Sequence, residues 1–395
     1  MEECFFQIGD YLSSRKILGK KINSLILEKK ITIIDEQDSL KILDISKLPL
    51  KKKSLHGFSL RGFDLSQDSK VISLLQIYKY YLYYGDLRNA WWIRSLAKNE
   101  LDAAIKRSQK NISSLAIIFS YLDLDITTLK AFIRDDEVSQ SFEDNFPEIF
   151  CFIKNLCFKK KFPILSKDNS FSQYISNKQI GVVGPGNTVL HQGNEIDSLD
   201  AIIRLNFNEK TSLNFNSHGS KTNLSYYNHG AIKNRLRDVR GSIPLLDWAC
   251  FKNNEDLAKS LTSELMSSGR VSSLADSLFI NTSAMGLQNI VYDLIKNNAA
   301  NIRLFCFDFY CSDSPYQKDY PSKETRQHFN DNFLKHASQS LRFHDPFLNF
   351  SFIKVAQEAN RVSLSTSVKE VVHLSRADYA SKMQDIYGQY NLSSS

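Results

Sequence analysis

The sequence predicts an α/β protein, with a mostly parallel sheet in its C-terminal part and a mainly α-helical part before it. Three observations predict this. Beyond about residue 177, short apolar runs recur with the length and composition of buried strands: Ile180 to Val183, Ala201 to Leu205, Asn223 to Tyr227, Ile243 to Leu246, Leu278 to Ile280 and Ile302 to Phe307. Amphipathic stretches such as Leu287 to Lys296 lie between some of them, and that alternation is the pattern of a parallel, Rossmann-like sheet. Upstream the periodicity is helical instead.

In chain order, Ile31 to Ile34 and Leu40 to Ile45 read as a short strand pair. Ser73 to Tyr78 leads into an aromatic-rich run, then Gly85-Asp86, then Ala90-Trp91-Trp92-Ile93, which reads as two amphipathic helices joined by a tight turn. No second copy follows at a fixed period, so no repeat array is inferred. Tyr78, Tyr81, Tyr84, Trp91 and Trp92 fall at helical spacings and read as a core stripe before a sugar-stacking platform. The stretch Lys159 to Lys178 is basic, then rich in Ser and Asn, and reads as a linker. It divides the chain into an accessory domain over residues 1–170 and a second domain over residues 177–395.

Composition narrows the class. A chain of 395 residues has room for two ordinary domains, and 42% hydrophobic with 24% charged residues is globular composition. The net charge of +7 is modest. Its lysine runs (Lys20-Lys21, Lys29-Lys30, Lys51 to Lys53, Lys159 to Lys161) read first as solvated helix ends and loops, and second as attraction to an acidic partner. Six scattered cysteines show no zinc spacing. Met1-Glu2-Glu3 does not open a signal peptide. The longest apolar stretch, Leu115 to Leu124, is about half a membrane span and carries Ser120 and Asp123. The expectation is a soluble, cytoplasmic chain with reduced thiols.

The first predicted strand ends in Val183-Gly184-Pro185-Gly186-Asn187-Thr188. Glycines after a buried strand allow a sharp turn and close backbone approach, and N–H groups there suit a phosphate. A plain tight turn is the competing reading. A dinucleotide site fits poorly. Val189 stands at the third position of G-x-G-x-x-G, and the next strand ends in Arg204-Leu205-Asn206 rather than in a carboxylate suited to a ribose hydroxyl.

Three blocks in order are more specific: Gly184 to Asn187, Ile196 to Asn206, and Gly219-Ser220-Lys221-Thr222. Together they resemble the large sialyl motif of the eukaryotic-type sialyltransferases, glycosyltransferase family 29. Thr282-Ser283-Ala284-Met285-Gly286 resembles the small sialyl motif, with Ser283 and Ala284 replacing its Pro and Ser. His328-Phe329-Asn330-Asp331 and His344-Asp345, with the two histidines 16 positions apart, resemble the third and the very small motif. The glutamate that family has shortly after the second histidine is missing, and Asn349 stands near its place. The disulfide joining the family's two main motifs has no counterpart, Ala299-Ala300 standing near one expected position. That departure suits a bacterial-type cytoplasmic member.

The resemblance covers about residues 177 to 350 and implies a sialyltransferase-like variant of the GT-A sheet. It implies an inverting, metal-independent transfer of sialic acid, or a related ulosonic acid such as Kdo, from a CMP-sugar to a glycan hydroxyl. No cofactor is expected beyond the CMP-sugar donor as co-substrate. Gly184, Gly186, Asn187, Asn206, Ser283 and Gly286 would bind the donor, His328 would hold its phosphate and His344 would act as base. The chemistry needs such a pair. A neutral imidazole takes the acceptor hydroxyl's proton near pH 7, and a second donor stabilises charge on the departing phosphate. Expected partners are the CMP-sugar and an oligosaccharide, polysaccharide or glycolipid acceptor. The lysine runs leave peripheral association with the inner face of a membrane open, and no nucleic acid is expected. His336, between the two candidate histidines, is the nearest decoy. Asp123-Leu124-Asp125 reads as surface charge, and Tyr316 and Tyr320 as packing or phosphate donors. The reading from a different class is a non-catalytic glycan- or nucleotide-binding protein with a degenerate transferase domain.

Overall fold

The computed structural model describes residues 31–34, 40–43, 74, 78, 81–82, 85–107, 126–134, 139–140, 143, 147–210, 213–228, 231–232, 239–252, 269–279, 282–312, 316–317 and 333–388. Strands β1 (Ile31–Ile34) and β2 (Leu40–Leu43) pair antiparallel in a sheet of their own, as their apolar runs predict. The main sheet contains β3 (Gln179–Val183), β4 (Ala201–Leu205), β5 (Leu224–Tyr227), β6 (Trp248–Lys252), β7 (Gly269–Ser272), β8 (Asn301–Phe305) and β9 (Ser363–Leu364). Its order is β7-β6-β5-β4-β3-β8-β9 and every pairing is parallel. The class is α/β with a Rossmann-like sheet.

Helices α1 (Leu87–Arg107), α2 (Ile126–Arg134), α3 (Pro147–Phe158) and α4 (Asn169–Ile175) precede this sheet. Helices α5 (Gly193–Asp197) and α6 (Phe215–His218) flank β4, and α7 (Gly286–Lys296) lies between β7 and β8. Then come α8 (Phe333–His344), α9 (Pro346–Glu358), α10 (Thr366–Val372) and α11 (Arg376–Tyr387).

Successive side chains of a strand point to opposite faces, and here both faces are covered. Ala201 and Ile203 of β4 enter the largest core with residues of α3, α4, α7 and α9, whereas Ile202 joins Val183, Ile196, Leu199 and Phe305 on the other side. The stretch expected as a linker carries α4, whose Phe171 and Ile175 are fully buried in that largest core. The upstream helical residues Leu74, Tyr78, Leu82, Leu87, Ala90 and Ile93 pack with Leu341, Phe347, Tyr379 and Met383 of the C-terminal helices. Tyr78 is part of this core stripe as predicted, and Trp91 and Trp92 are half-buried against it. Tyr84 lies outside the described residues.

Two predicted strands are replaced by neighbours. Ile243–Leu245 is a 3-10 turn, because Pro244 fixes φ and lacks the N–H that a central strand needs. The strand there is β6, a few residues later. Of the predicted strand Leu278 to Ile280, Leu278 ends a 3-10 turn over Ala275–Leu278 and Ile280 lies outside the described residues, and β7 supplies the strand at that end. Its Arg270 hides it from hydropathy. That guanidinium is buried because Asp293 (2.5 Å) and Asp168 (2.7 Å) pair with it and the Phe171 ring lies 4.0 Å from it. Tyr226 of β5 also donates to Asp293, at 2.6 Å, so one buried polar cluster ties β5, β7, α7 and the approach to α4. The last predicted strand, β8, stops at Phe305, short of the predicted Phe307, because Cys306 turns to φ 56°.

Strands β3 to β7 are laid down in one direction and β8 and β9 in the other, so chain order reverses between β3 and β8. Open parallel sheets bind ligands outside the carboxyl ends of their strands at such a reversal.

Candidate functional site

At that reversal the glycine turn runs on from β3 along the exit of β8. Gly184 N–H donates to Phe305 O (2.8 Å) and Gly186 N–H to Cys306 O (2.9 Å). A Cβ at Gly184 would stand 2.4 Å from the Cys306 carbonyl oxygen, and one at Gly186 would stand 2.5 Å from it. Backbone packing therefore demands both glycines. Their N–H groups are engaged by protein carbonyls. Asn187 is exposed on that loop.

His218 supports the turn from below. Its Nε2 lies 3.0 Å from Gly186 O and its Nδ1 2.7 Å from Ser217 Oγ. A carbonyl only accepts, so Nε2 carries the hydrogen and Nδ1 accepts from the hydroxyl. Burial pushes the imidazole pKa down to about 4, with Arg204 adding to the effect and the Gly186 bond opposing it. His218 is neutral at pH 7.

The blocks read from the sequence brace one another. Arg204 of β4 is buried and donates to the carbonyls of His218 (2.7 Å), Gly219 (3.3 Å) and Lys221 (3.2 Å), and to Thr222 Oγ1 (3.0 Å). Asp197 accepts from Ser220 N (2.8 Å), Ser220 Oγ (2.8 Å) and Lys221 N (2.9 Å). Burial alone would raise the Asp197 carboxyl, but these bonds and Arg204 hold it below the usual carboxylate range. A Cβ on Gly219 (φ 67°) would stand 2.5 Å from Asp197 Oδ1. Most of the large block thus builds the frame, and Asn206 is its residue turned toward the strand exits. Asn206 has φ 50°, a conformation asparagine tolerates better than most residues. Its N–H donates to Tyr226 O (2.9 Å) and its Oδ1 accepts from Asn228 N (3.0 Å), stitching the ends of β4 and β5.

The second group forms where α7 begins. A Cβ on Gly286 would meet Leu205 Cδ2 at 2.7 Å, so the first turn of α7 sits against the end of β4, one residue short of Asn206. That turn carries no acidic residue, and its N–H groups present the positive end of the helix. His344 ends α8, and its Nδ1 lies 3.1 Å from Ser283 O, just before this turn. The carbonyl only accepts, so Nδ1 donates, and in its neutral form the ring has its lone pair on Nε2. Asp345, between α8 and α9, adopts φ 36° in the left-handed region. Its carboxylate caps α9 by accepting from Leu348 N (3.1 Å) and also accepts from Tyr78 Oη (2.5 Å).

Asn349 cross-links these pieces. Its Nδ2 donates to the carbonyls of His344 and Asp345 (3.0 Å to the latter). Its Oδ1 accepts from Met285 N (2.9 Å), and its own carbonyl accepts from Gln288 Nε2 (2.9 Å). One buried amide thus holds the Ser283 to Gly286 turn against the break that follows His344.

The loop after β8 leans on the glycine turn. Gln317 N donates to Pro185 O at 2.6 Å. Cys306 (φ 56°), Phe309 (φ 51°) and Tyr310 (φ 63°) all take left-handed conformations, a concentration of backbone strain that favours functional loops. Asp308 accepts from Ser312 Oγ (2.5 Å) and Tyr310 N (3.1 Å). Burial lifts its carboxyl to about 6, against those bonds and Lys382. Tyr316 lies 3.5 Å from the Tyr310 hydroxyl.

The structure therefore brings His344, Ser283, Gly286 and Asn206 to one stretch of the carboxyl edge and Gly184 and Gly186 to the adjacent reversal. His328, Tyr320 and Asp123-Leu124-Asp125 lie outside the described residues. Sequence reasoning missed the parts played by Asp345, His218 and Asp308, none of which carries a local signal. Among the described residues, no helix is long and apolar enough to cross a membrane. No protein-family model matches the chain, and no curated protein matches it.

Proposed function

We propose that the chain is an inverting glycosyltransferase, working without a metal, that moves sialic acid or a related ulosonic acid such as Kdo from a CMP-sugar to a glycan hydroxyl. The observation that carries this reading is the bond from His344 Nδ1 to Ser283 O, which joins two sequence blocks resembling separate sialyl motifs. Nδ1 is held as donor, so Nε2 is the basic atom that takes the acceptor hydroxyl's proton as the oxygen attacks the anomeric carbon. CMP leaves from the opposite side. The first-turn amides of α7 stabilise the single phosphate as its charge grows. Asn206, one residue beyond Leu205 and braced by Asn228, keeps an amide at the strand exit for the nucleotide.

Thermal shift with CMP and with NAD tests the ligand class. CMP is expected to raise the melting temperature and NAD to leave it unchanged. Protection by NAD and none by CMP refutes the proposal.

A further inference from the structure

The helical segment upstream of the sheet bonds Asp345, the residue that follows the candidate base. Tyr78 and Asp345 are 267 residues apart in sequence, yet the phenol donates to Asp345 Oδ1 at 2.5 Å and both side chains are buried. Asp345 directly follows His344 and has φ 36° with ψ 89°, off the left-handed helical minimum that Asp tolerates, so its surroundings hold it there. The surroundings here are specific. The Leu348 amide (3.1 Å) and the Tyr78 phenol (2.5 Å) both bond one carboxylate oxygen, Asp345 Oδ1. Tyr78 is itself fixed by Arg94, whose guanidinium lies 5.0 Å from its ring centroid, and by Phe347 at 6.3 Å. Trp91 of α1 packs on the same Phe347 at 5.5 Å, and Arg88 N–H donates to Gln384 of α11. The upstream helices thus grip Asp345 and Phe347.

We propose that Tyr78 is a positioning residue for His344: by holding Asp345 in its strained conformation, it fixes the direction in which α8 delivers the imidazole to Ser283 O. The inference rests on reading His344 as the base. It gives the upstream helices a role in catalysis rather than in binding an acceptor or a membrane.

The test uses the full chain with 15N-labelled histidine rings, the His344 signals being assigned by their loss in His344→Gln. Wild type is expected to show His344 as the Nδ1–H tautomer. Tyr78→Phe is expected to shift the ring toward a mixture of tautomers and to lower kcat for CMP release about a hundredfold, with donor KM within about twofold. Tyr226→Phe is the control, because it removes a comparable buried bond to Asp293 (2.6 Å) in the sheet core. It should leave both the tautomer and kcat as in wild type. Should Tyr78→Phe fail to fold, Asp345→Asn leaves an oxygen for both donors but makes it a neutral, weaker acceptor, and the same shifts are expected in smaller degree. An unmoved tautomer in the variant, or an equal loss of kcat in Tyr226→Phe, overturns the proposal. If wild type turns over no CMP-sugar, the proposed function fails while the tautomer comparison still decides this one.

Discussion

His344 Nδ1 lies 3.1 Å from the carbonyl oxygen of Ser283, a residue 61 positions earlier in the chain. The bond is made between the end of one helix and the turn that starts another, so it depends on the groups that hold those two ends together. Each such group can be removed separately.

Asn349 is the first. Asn349→Ala leaves the Met285 amide without this acceptor and removes the Nδ2 bonds to the carbonyls of His344 and Asp345. A loss of about 2 kcal/mol of stability is expected in urea denaturation. The kcat for CMP release should fall tenfold or more, on the order of what misplacing a reacting group costs, while donor KM holds. Asn349→Asp keeps an acceptor for Met285 but sets a carboxylate against two carbonyls, and it should do no better than Ala.

The glycine turn predicts a stability effect without chemistry. Gly184→Ala or Gly186→Ala forces a methyl to within 2.4 or 2.5 Å of the Cys306 carbonyl oxygen, which is backbone and cannot swing away. Each is expected to cost about 3 kcal/mol, read as a lower denaturant midpoint.

Asn206 separates backbone from ligand. Asn206→Ala puts an ordinary residue at φ 50° and should cost about 1–2 kcal/mol. Asn206→Gly relaxes the backbone and should recover most of that stability. CMP affinity, measured by calorimetry, should stay about tenfold weaker in both, because neither restores the amide.

His218 gives a pH dependence with a definite sign. Its folded pKa of about 4 lies below the unfolded value, so the unfolded chain binds the extra proton first. Its contribution to stability is complete above about pH 6.5 and is lost as pH falls toward 4. Between pH 7 and pH 5 this group alone removes about 2 kcal/mol. Asp308 runs the other way, since its carboxyl is lifted to about 6 and its contribution is lost as pH rises through that value. Denaturation of wild type, His218→Gln and Asp308→Asn at both pH values should therefore show opposite changes in slope for the two variants.

How much of this was legible in the sequence follows from where each residue's partners lie. Strands β3, β4 and β5 are buried on both faces, so each is a largely apolar run that hydropathy detects, and β8 is marked by its buried Ile302, Leu304 and Phe305. Strand β7 is short and polar, and it is buried only because Arg270 finds Asp168 and Asp293, partners far along the chain. Strand β9 is two residues long and has no pattern to detect. In the site, Gly184, Asn206, Ser283, Gly286 and His344 stood out through motif order. The roles of Tyr78, Asp345 and His218 come from contacts that span 267 residues or cross from one loop to another, and no local window contains them. Asn349 was visible only as the place of a missing glutamate, whereas its amide makes the bonds that join the two halves of the site.

The central claim is that His344 is the base of a CMP-sugar transfer. The most direct measurement is CMP release from CMP-sialate and CMP-Kdo, each offered separately, by wild type and by His344→Gln. Wild type is expected to release CMP from at least one donor, with a loss on the order of 100- to 10,000-fold in the variant. Release that His344→Gln leaves unchanged, or no release from either donor, would contradict it.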